Sequence, residues 1–324
     1  MKRSIIIGCG GYLPKNVITN DDLSKMVETS DDWIFQRTGI KKRHFADKGE
    51  VTSDLGVEAA RNALKTAELT PESIDLLVLA TATPDETFPS TATIIQRKLG
   101  MKRGLAFDVS AVCAGYLTAL NVADTFLKTG QATTALVIGS ETFSRILDMG
   151  DRRTCVLFGD GAGAVILRSE RFQPENASQS GILGISLQSD GNFHDILYVD
   201  GGPSSTGQAG VVRMIGQEVF RHAVTKLAES AESILKTYNT SKEEIDWLIP
   251  HQANIRIIEG LAKRFNVPWE KVIHTVSEHA NTSAASIPLA LSKAYEDHKL
   301  KKGDLILHDA IGSGLVWGSA LVRW

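Results

Sequence analysis

The chain has 324 residues, 43% hydrophobic and 23% charged, with a formal net charge of −3. That balance fits a soluble globular protein with ample material for a buried core, and it excludes nucleic acid as a bulk electrostatic partner. Three cysteines (Cys9, Cys113, Cys155) are too few and too irregularly spaced for a disulfide framework or a zinc site, which argues for a reducing, cytoplasmic compartment.

In chain order, the run from Ser4 to Gly8 predicts a first strand; it is too short for the apolar region of a signal peptide, and no run approaches a membrane span. Leu55, Ala59, Ala60, Ala63 and Leu64 carry a helical period, followed by a turn at 69–75 and an apolar strand at 76–80. A helix ends at Gly100, and a buried strand over 105–109 leads to Cys113, at the start of the next helix. A helix start presents the positive end of its dipole, so this position favours the thiolate of Cys113. A strand over 133–139 comes next. Glycine clusters at 8–11 and 159–163 open no helix, which argues against a nucleotide-binding fingerprint.

The order then repeats. After a Gly- and Ser-rich connection over 173–208 come a helix around 219–238, a turn at 241–246 and a strand ending Ile249-Pro250-His251. A helix over 257–265 follows, closed by Asn266, then a strand over 272–276 leading to Asn281, and a last strand around 303–308. Asp75 and Asp246 are 171 residues apart, Cys113 and Asn281 are 168 apart. These landmarks predict an internal duplication in which Asn281 is the counterpart of Cys113. Strands alternating with helices imply mainly parallel sheets covered by helices. The predicted fold is therefore α/β, a layered αβαβα body of two duplicated halves (1–172 and 173–324) about a pseudo-twofold axis. Ligands collect beyond the carboxyl ends of such strands, where Cys113, His251 and Asn281 all fall.

A thiolate nucleophile needs oxyanion donors and a neighbour that manages protons. His251 can polarise or protonate a substrate; taken alone it reads more readily as a hydrogen-bonded structural histidine, a reading that its context Ile249–Asn254 reverses. Asn281 taken alone reads as a helix cap. The wider pattern resembles β-ketoacyl-acyl-carrier-protein synthase III, the initiating condensing enzyme of bacterial fatty-acid synthesis, in the thiolase-fold superfamily. The resemblance runs the length of the chain. Its marks are Thr29–Ile40, Ala80–Asp85, Cys113-Ala114-Gly115, Phe158–Ala164, Pro250–Asn254 and Asn281–Pro288. The Cys-His-Asn set separates this branch from elongating synthases, with Cys-His-His, and from thiolases, with a second cysteine.

The resemblance implies catalysis by Cys113, His251 and Asn281, with the backbone N–H groups of Cys113 and Ser313 as oxyanion hole. It implies CoA binding by Trp33, Arg37, Arg152 and Gln217. Phe88, Leu157, Phe158 and Phe220 would line the acyl and pantetheine pocket, Phe88 being inserted by a partner subunit. Gln252, Arg256, Arg221, Lys263 and Arg264 would meet the acidic acyl carrier protein. No metal and no cofactor is expected beyond the acyl-CoA substrate, and the protein is expected to be a homodimer. The implied reaction joins a short acyl-CoA, acetyl-CoA foremost, to malonyl-acyl-carrier protein through an acyl-Cys113. A condensing enzyme of secondary metabolism with another acyl donor, or a non-catalytic acyl-binding member, remains open at this level. Three positions depart from the family: Ser313 within Gly312-Ser313-Gly314, Ala280 before Asn281, and Gln217 where Asn is frequent. Cys9 and Cys155, in apolar surroundings, are expected to be buried structural thiols.

Overall fold

The computed structural model describes residues 2–173 and 179–324. Residues 174–178, within the expected connection, and Met1 lie outside the described residues. In the N-terminal half the elements are β1 (Lys2–Tyr12), β2 (Asn16–Thr19), α1 (Asn20–Ser24), α2 (Asp31–Thr38), β3 (Lys42–Phe45), α3 (Thr52–Thr66), β4 (Leu76–Ala80), α4 (Thr91–Leu99), β5 (Leu105–Val109), α5 (Gly115–Thr129), β6 (Thr134–Glu141) and β7 (Gly161–Arg171). The C-terminal half contributes β8 (Gly181–Ser189), β9 (Leu197–Val199), β10 (Val212–Met214), α6 (Gly216–Thr237), β11 (Trp247–Leu248), α7 (Ile255–Phe265), α8 (Val276–His279), α9 (Ser286–Glu296), β12 (Leu305–Gly312) and β13 (Val316–Arg323).

Strands β4 and β6 are buried along their whole length, as expected of parallel strands covered on both faces. One sheet has the order β1-β7-β6-β4-β5, and the other runs β11-β12-β13-β8. Helices α5 and α9 lie between the sheets, in a core that joins Leu117, Leu120 and Leu127 to Ile306, Ala310 and Val322 of the other half. Helix α3 and α4 cover the outer face of the first sheet, α6 and α7 that of the second. The five layers are the αβαβα body expected from the alternation.

The repeat has a fixed register. β6 and β12 are offset by 171 residues at both ends. The strand pairing Leu77↔Leu136 recurs as Leu248↔Leu307. The short helical turns before α5 and α9, Val112–Ala114 and Ser283–Ala285, share the offset. Each begins with a non-glycine residue in the left-handed region, Val112 at φ +47° and Ser283 at φ +50°. This corrects the sequence alignment of the halves: Cys113 corresponds to Ala284, and Asn281 corresponds to Ser110. Gly139 makes room for the second turn, because a Cβ there would meet the Ala284 carbonyl oxygen at 2.2 Å.

The strand expected over 272–276 is a second correction. Only the Leu248↔Val272 bridge forms, and α8 begins at Val276. The buried Gln252 amide replaces the missing ladder, accepting from Thr275 N–H at 2.7 Å and donating to Pro250 O at 2.7 Å. Among the described residues no helix is long and apolar enough to cross a membrane.

Candidate active site

A cavity of about 660 Å³ opens at the carboxyl ends of the strands and is lined by Cys113, His251 and Asn281 together. These residues come from the turn before α5, the end of β11 and the turn before α9.

Cys113 is buried, and burial pushes its thiol up to about 12. The Ser283 side chain works against that shift and the nearby Glu141 charge adds to it. Burial thus opposes the thiolate that the helix start favours. Cys9 and Cys155 are buried free thiols, also pushed up by burial.

His251 is buried and its imidazole is pulled down to about 3 by burial, so the ring is neutral at pH 7. Its backbone N–H donates to Asp309 O at 2.7 Å, tying it to β12. Nδ1 lies 2.6 Å from Ser286 Oγ.

Asn281 is clamped through its backbone: its N–H donates to Leu157 O at 2.9 Å and its carbonyl accepts from Gly159 N–H at 3.0 Å. Asp160 anchors the clamp from behind, accepting from Ala46 N–H and Ser144 N–H, both at 2.8 Å. The Asn281 Oδ1 accepts from Ser283 N–H at 2.9 Å, which leaves the amide NH2 as the group that can donate to a ligand.

The turn Gly312–Gly314 approaches the thiol from β12. A Cβ on Gly312 would stand 2.8 Å from Cys113 N and 3.0 Å from Ala114 N, so glycine keeps the approach to these N–H groups open. Ser313 is outside the left-handed region and its hydroxyl donates to Leu197 O, so the turn accepts a serine without backbone strain. Ala280 differs: it holds φ +57° and ψ −158°, a region populated almost only by glycine.

At the cavity mouth the Arg37 and Arg152 guanidiniums lie 4.5 and 4.9 Å from the Trp33 ring centroid, within cation–π range. Trp33, Arg37, Arg152 and Gln217 all line the cavity, as do Leu157, Phe158 and Phe220. Phe158 is further fixed by stacking on Phe143. Phe88 does not line the cavity and is 83% exposed. Arg256 lines the mouth. Lys263 and Arg264 lie on the same helix, roughly 10–12 Å further along at 1.5 Å per residue. Arg221 pairs with Glu218, and Arg264 approaches Glu232 at 4.0 Å. Gln252 is corrected: it is fully buried, splints the 272–275 segment, and offers nothing to a carrier protein.

The sequence reading missed Glu141, Ser283 and Ser286. Glu141 ends β6 beneath the site, accepting from Thr83 Oγ1 at 2.7 Å and Ala82 N–H at 3.0 Å. Burial raises its carboxyl to about 7 against those hydrogen bonds. A charged residue closing the apolar run 135–138 was a readable signal. Leu197 of β9 and Met214 of β10 also line the cavity, Leu197 from the segment that reads only as a connection.

Residues 107–191 match the family described as 3-oxoacyl-[acyl-carrier-protein (ACP)] synthase III, and residues 235–324 match its C-terminal counterpart. The chain is 59% identical over 322 residues to the beta-ketoacyl-[acyl-carrier-protein] synthase III of Rhodospirillum centenum, covering 99% of each. It is 57% identical over 324 residues to the enzyme of that name from Rhodospirillum rubrum, covering 100% of each. Among solved structures, the 3-oxoacyl-[acyl-carrier-protein] synthase III of Aquifex aeolicus superimposes with a TM-score of 0.93 at 46% identity, covering 99% of this chain and 100% of that one.

Proposed function

Because the chain belongs to the 3-oxoacyl-[acyl-carrier-protein] synthase III family, we propose that it condenses a short acyl-CoA, foremost acetyl-CoA, with malonyl-acyl-carrier protein. The carrying observation is that Cys113, His251 and Asn281 line one cavity whose mouth holds Trp33, Arg37 and Arg152.

In the first half-reaction the Cys113 sulfur attacks the thioester carbon, and the thiol proton departs with the CoA sulfur. The backbone N–H groups of Cys113 and Ser313 hold the oxyanion, each worth roughly 3–4 kcal/mol in the transition state. Trp33 and the two arginines stack and neutralise the nucleotide end of CoA. In the second half-reaction the malonyl C–CO2 bond breaks and its electron pair passes to the thioester oxygen. Neutral His251 and the Asn281 amide donate hydrogen bonds to that oxygen. The enolate carbon then attacks the acyl-Cys113 carbonyl and expels the sulfur, which recovers a proton. Decarboxylation generates the carbanion, so no strong base is needed. The chemistry uses only side chains and N–H groups of the protein, with no metal or further cofactor.

Arg256 at the mouth, extended by Lys263 and Arg264 along α7 and joined by Arg221 next to the cavity-lining Phe220, forms the basic surface offered to the acidic carrier. Strand β5 is the edge of its sheet and its Leu105 is exposed; pairing of two such edges, with Phe88 reaching the partner, makes a homodimer. The three buried free thiols suit the cytoplasm.

Cys113→Ala tests the function directly. The wild-type protein should gain one acyl group from labelled acetyl-CoA by intact mass, and the variant none; labelling that survives the substitution overturns the assignment.

A further inference from the structure

We propose that Ser286 is a positioning residue that holds His251 as its Nε2–H tautomer, so that the ring donates rather than accepts at the thioester oxygen; this rests on the function proposed above.

Ser286 opens α9 and is buried, with its Oγ 2.6 Å from His251 Nδ1. The same oxygen accepts the Gln252 backbone N–H at 3.2 Å. Among the described residues no carbonyl or carboxylate accepts the Ser286 hydroxyl proton, so that proton goes to Nδ1. A neutral imidazole carries a single N–H; with Nδ1 accepting, the N–H is at Nε2. The opposite tautomer would set an Nε2 lone pair against a developing negative oxygen. The His251 backbone is already fixed through Asp309 O, so ring rotation and tautomer are the freedoms left, and Ser286 removes both.

The repeat gives independent support. At the 171-residue offset His251 corresponds to Ala80 and Ser286 to Gly115. Those two also touch: a Cβ on Gly115 would lie 3.0 Å from the Ala80 Cβ. The scaffold supplies the same contact twice, and only the C-terminal half arms it with an imidazole and a hydroxyl.

The test uses the full chain as wild type, Ser286→Ala and Ser286→Thr, labelled with ¹⁵N-histidine. Nitrogen shifts in the wild type should show Nε2–H at His251; an Nδ1–H pattern overturns the proposal whether or not any variant folds. Ser286→Ala should lower kcat for malonyl-carrier decarboxylation about 10-fold or more while leaving KM and stoichiometric acylation of Cys113 unchanged, the size expected when a group supporting a reacting side chain is lost. Its nitrogen shifts should move to mixed tautomers, and Ser286→Thr should restore shifts and kcat. Unchanged shifts with unchanged kcat, or equal losses in both half-reactions, overturn it. A wild type that is acylated yet never decarboxylates malonyl-carrier refutes the function instead, and the nitrogen shifts still decide the tautomer.

Discussion

The turns at the heads of α5 and α9 are the same object built twice and used differently. Both start with a strained left-handed residue and both launch a helix of the middle layer. The first carries the Cys113 thiol where the second has Ala284. The second carries Ser286 where the first has Gly115, and beside it His251 stands where the first half has Ala80. Duplication thus supplied two equivalent perches, and the mechanism proposed above places the nucleophile of acyl capture on the first and the side chains of enolate stabilisation beside the second.

The strongest way to break that division is to disarm one side. His251→Ala and Asn281→Ala should each lower condensation about 10²–10³-fold, the cost of one oxyanion donor, while acyl transfer to Cys113 stays near the wild-type rate. Burst acylation measured beside carbon dioxide release checks it, and loss of both activities together would mean that the halves do not divide the work.

Position 309 tests the halves through stability. Its counterpart in β6 is Ile138, whereas Asp309 is a fully buried carboxyl raised by burial to about 7. Its folded value lies above the unfolded one, so its contribution is intact below about pH 4 and is lost as pH rises through 7. Asp309→Asn should therefore gain on the wild type across that window, by roughly 4 kcal/mol at most at 1.36 kcal/mol per unit. Urea melts at pH 4.5 and 7.5 measure the difference, which should grow with pH. The buried neutral His251 and His308 act oppositely, losing stability as pH falls below 6.5, and are the same in both proteins.

The smallest effect belongs to Ala280, counterpart of the ordinary strand residue Val109. Ala280→Gly should stabilise by about 1 kcal/mol through relief of its positive φ, with kcat within a few-fold. Denaturant midpoints would register it; a destabilised variant would show that the alanine methyl matters more than the backbone.

Much of this was legible in the residues. Cys113, His251 and Asn281 are polar groups closing apolar runs, and motif context joined them. The alternation of runs gave the layers and the duplication. Other features depend on what packs against what. The polar Gln252 beside His251 looked like surface, yet its amide does the work of a strand that the apolar run 272–276 seemed to provide. Aligning the halves on Cys113 and Asn281 slipped the register by three, because function was matched where only backbone is repeated. Ser286 is 35 residues from His251 and nothing in its neighbourhood announces the contact. The upward pull of burial on the Cys113 thiol likewise is not contained in a helix-start argument.

A chain made of two like halves risks endless polymerisation: one half's open edge can seat on the other half's in the next copy, and a head-to-tail contact that does not close grows into a filament. Here β5 is a full edge strand beside β4, whereas the equivalent place beside β11 holds only a single bridge at Val272. With that position reduced to one rung, a head-to-tail contact of this kind finds no full strand to seat on, which favours the proposed pairing of β5 with β5.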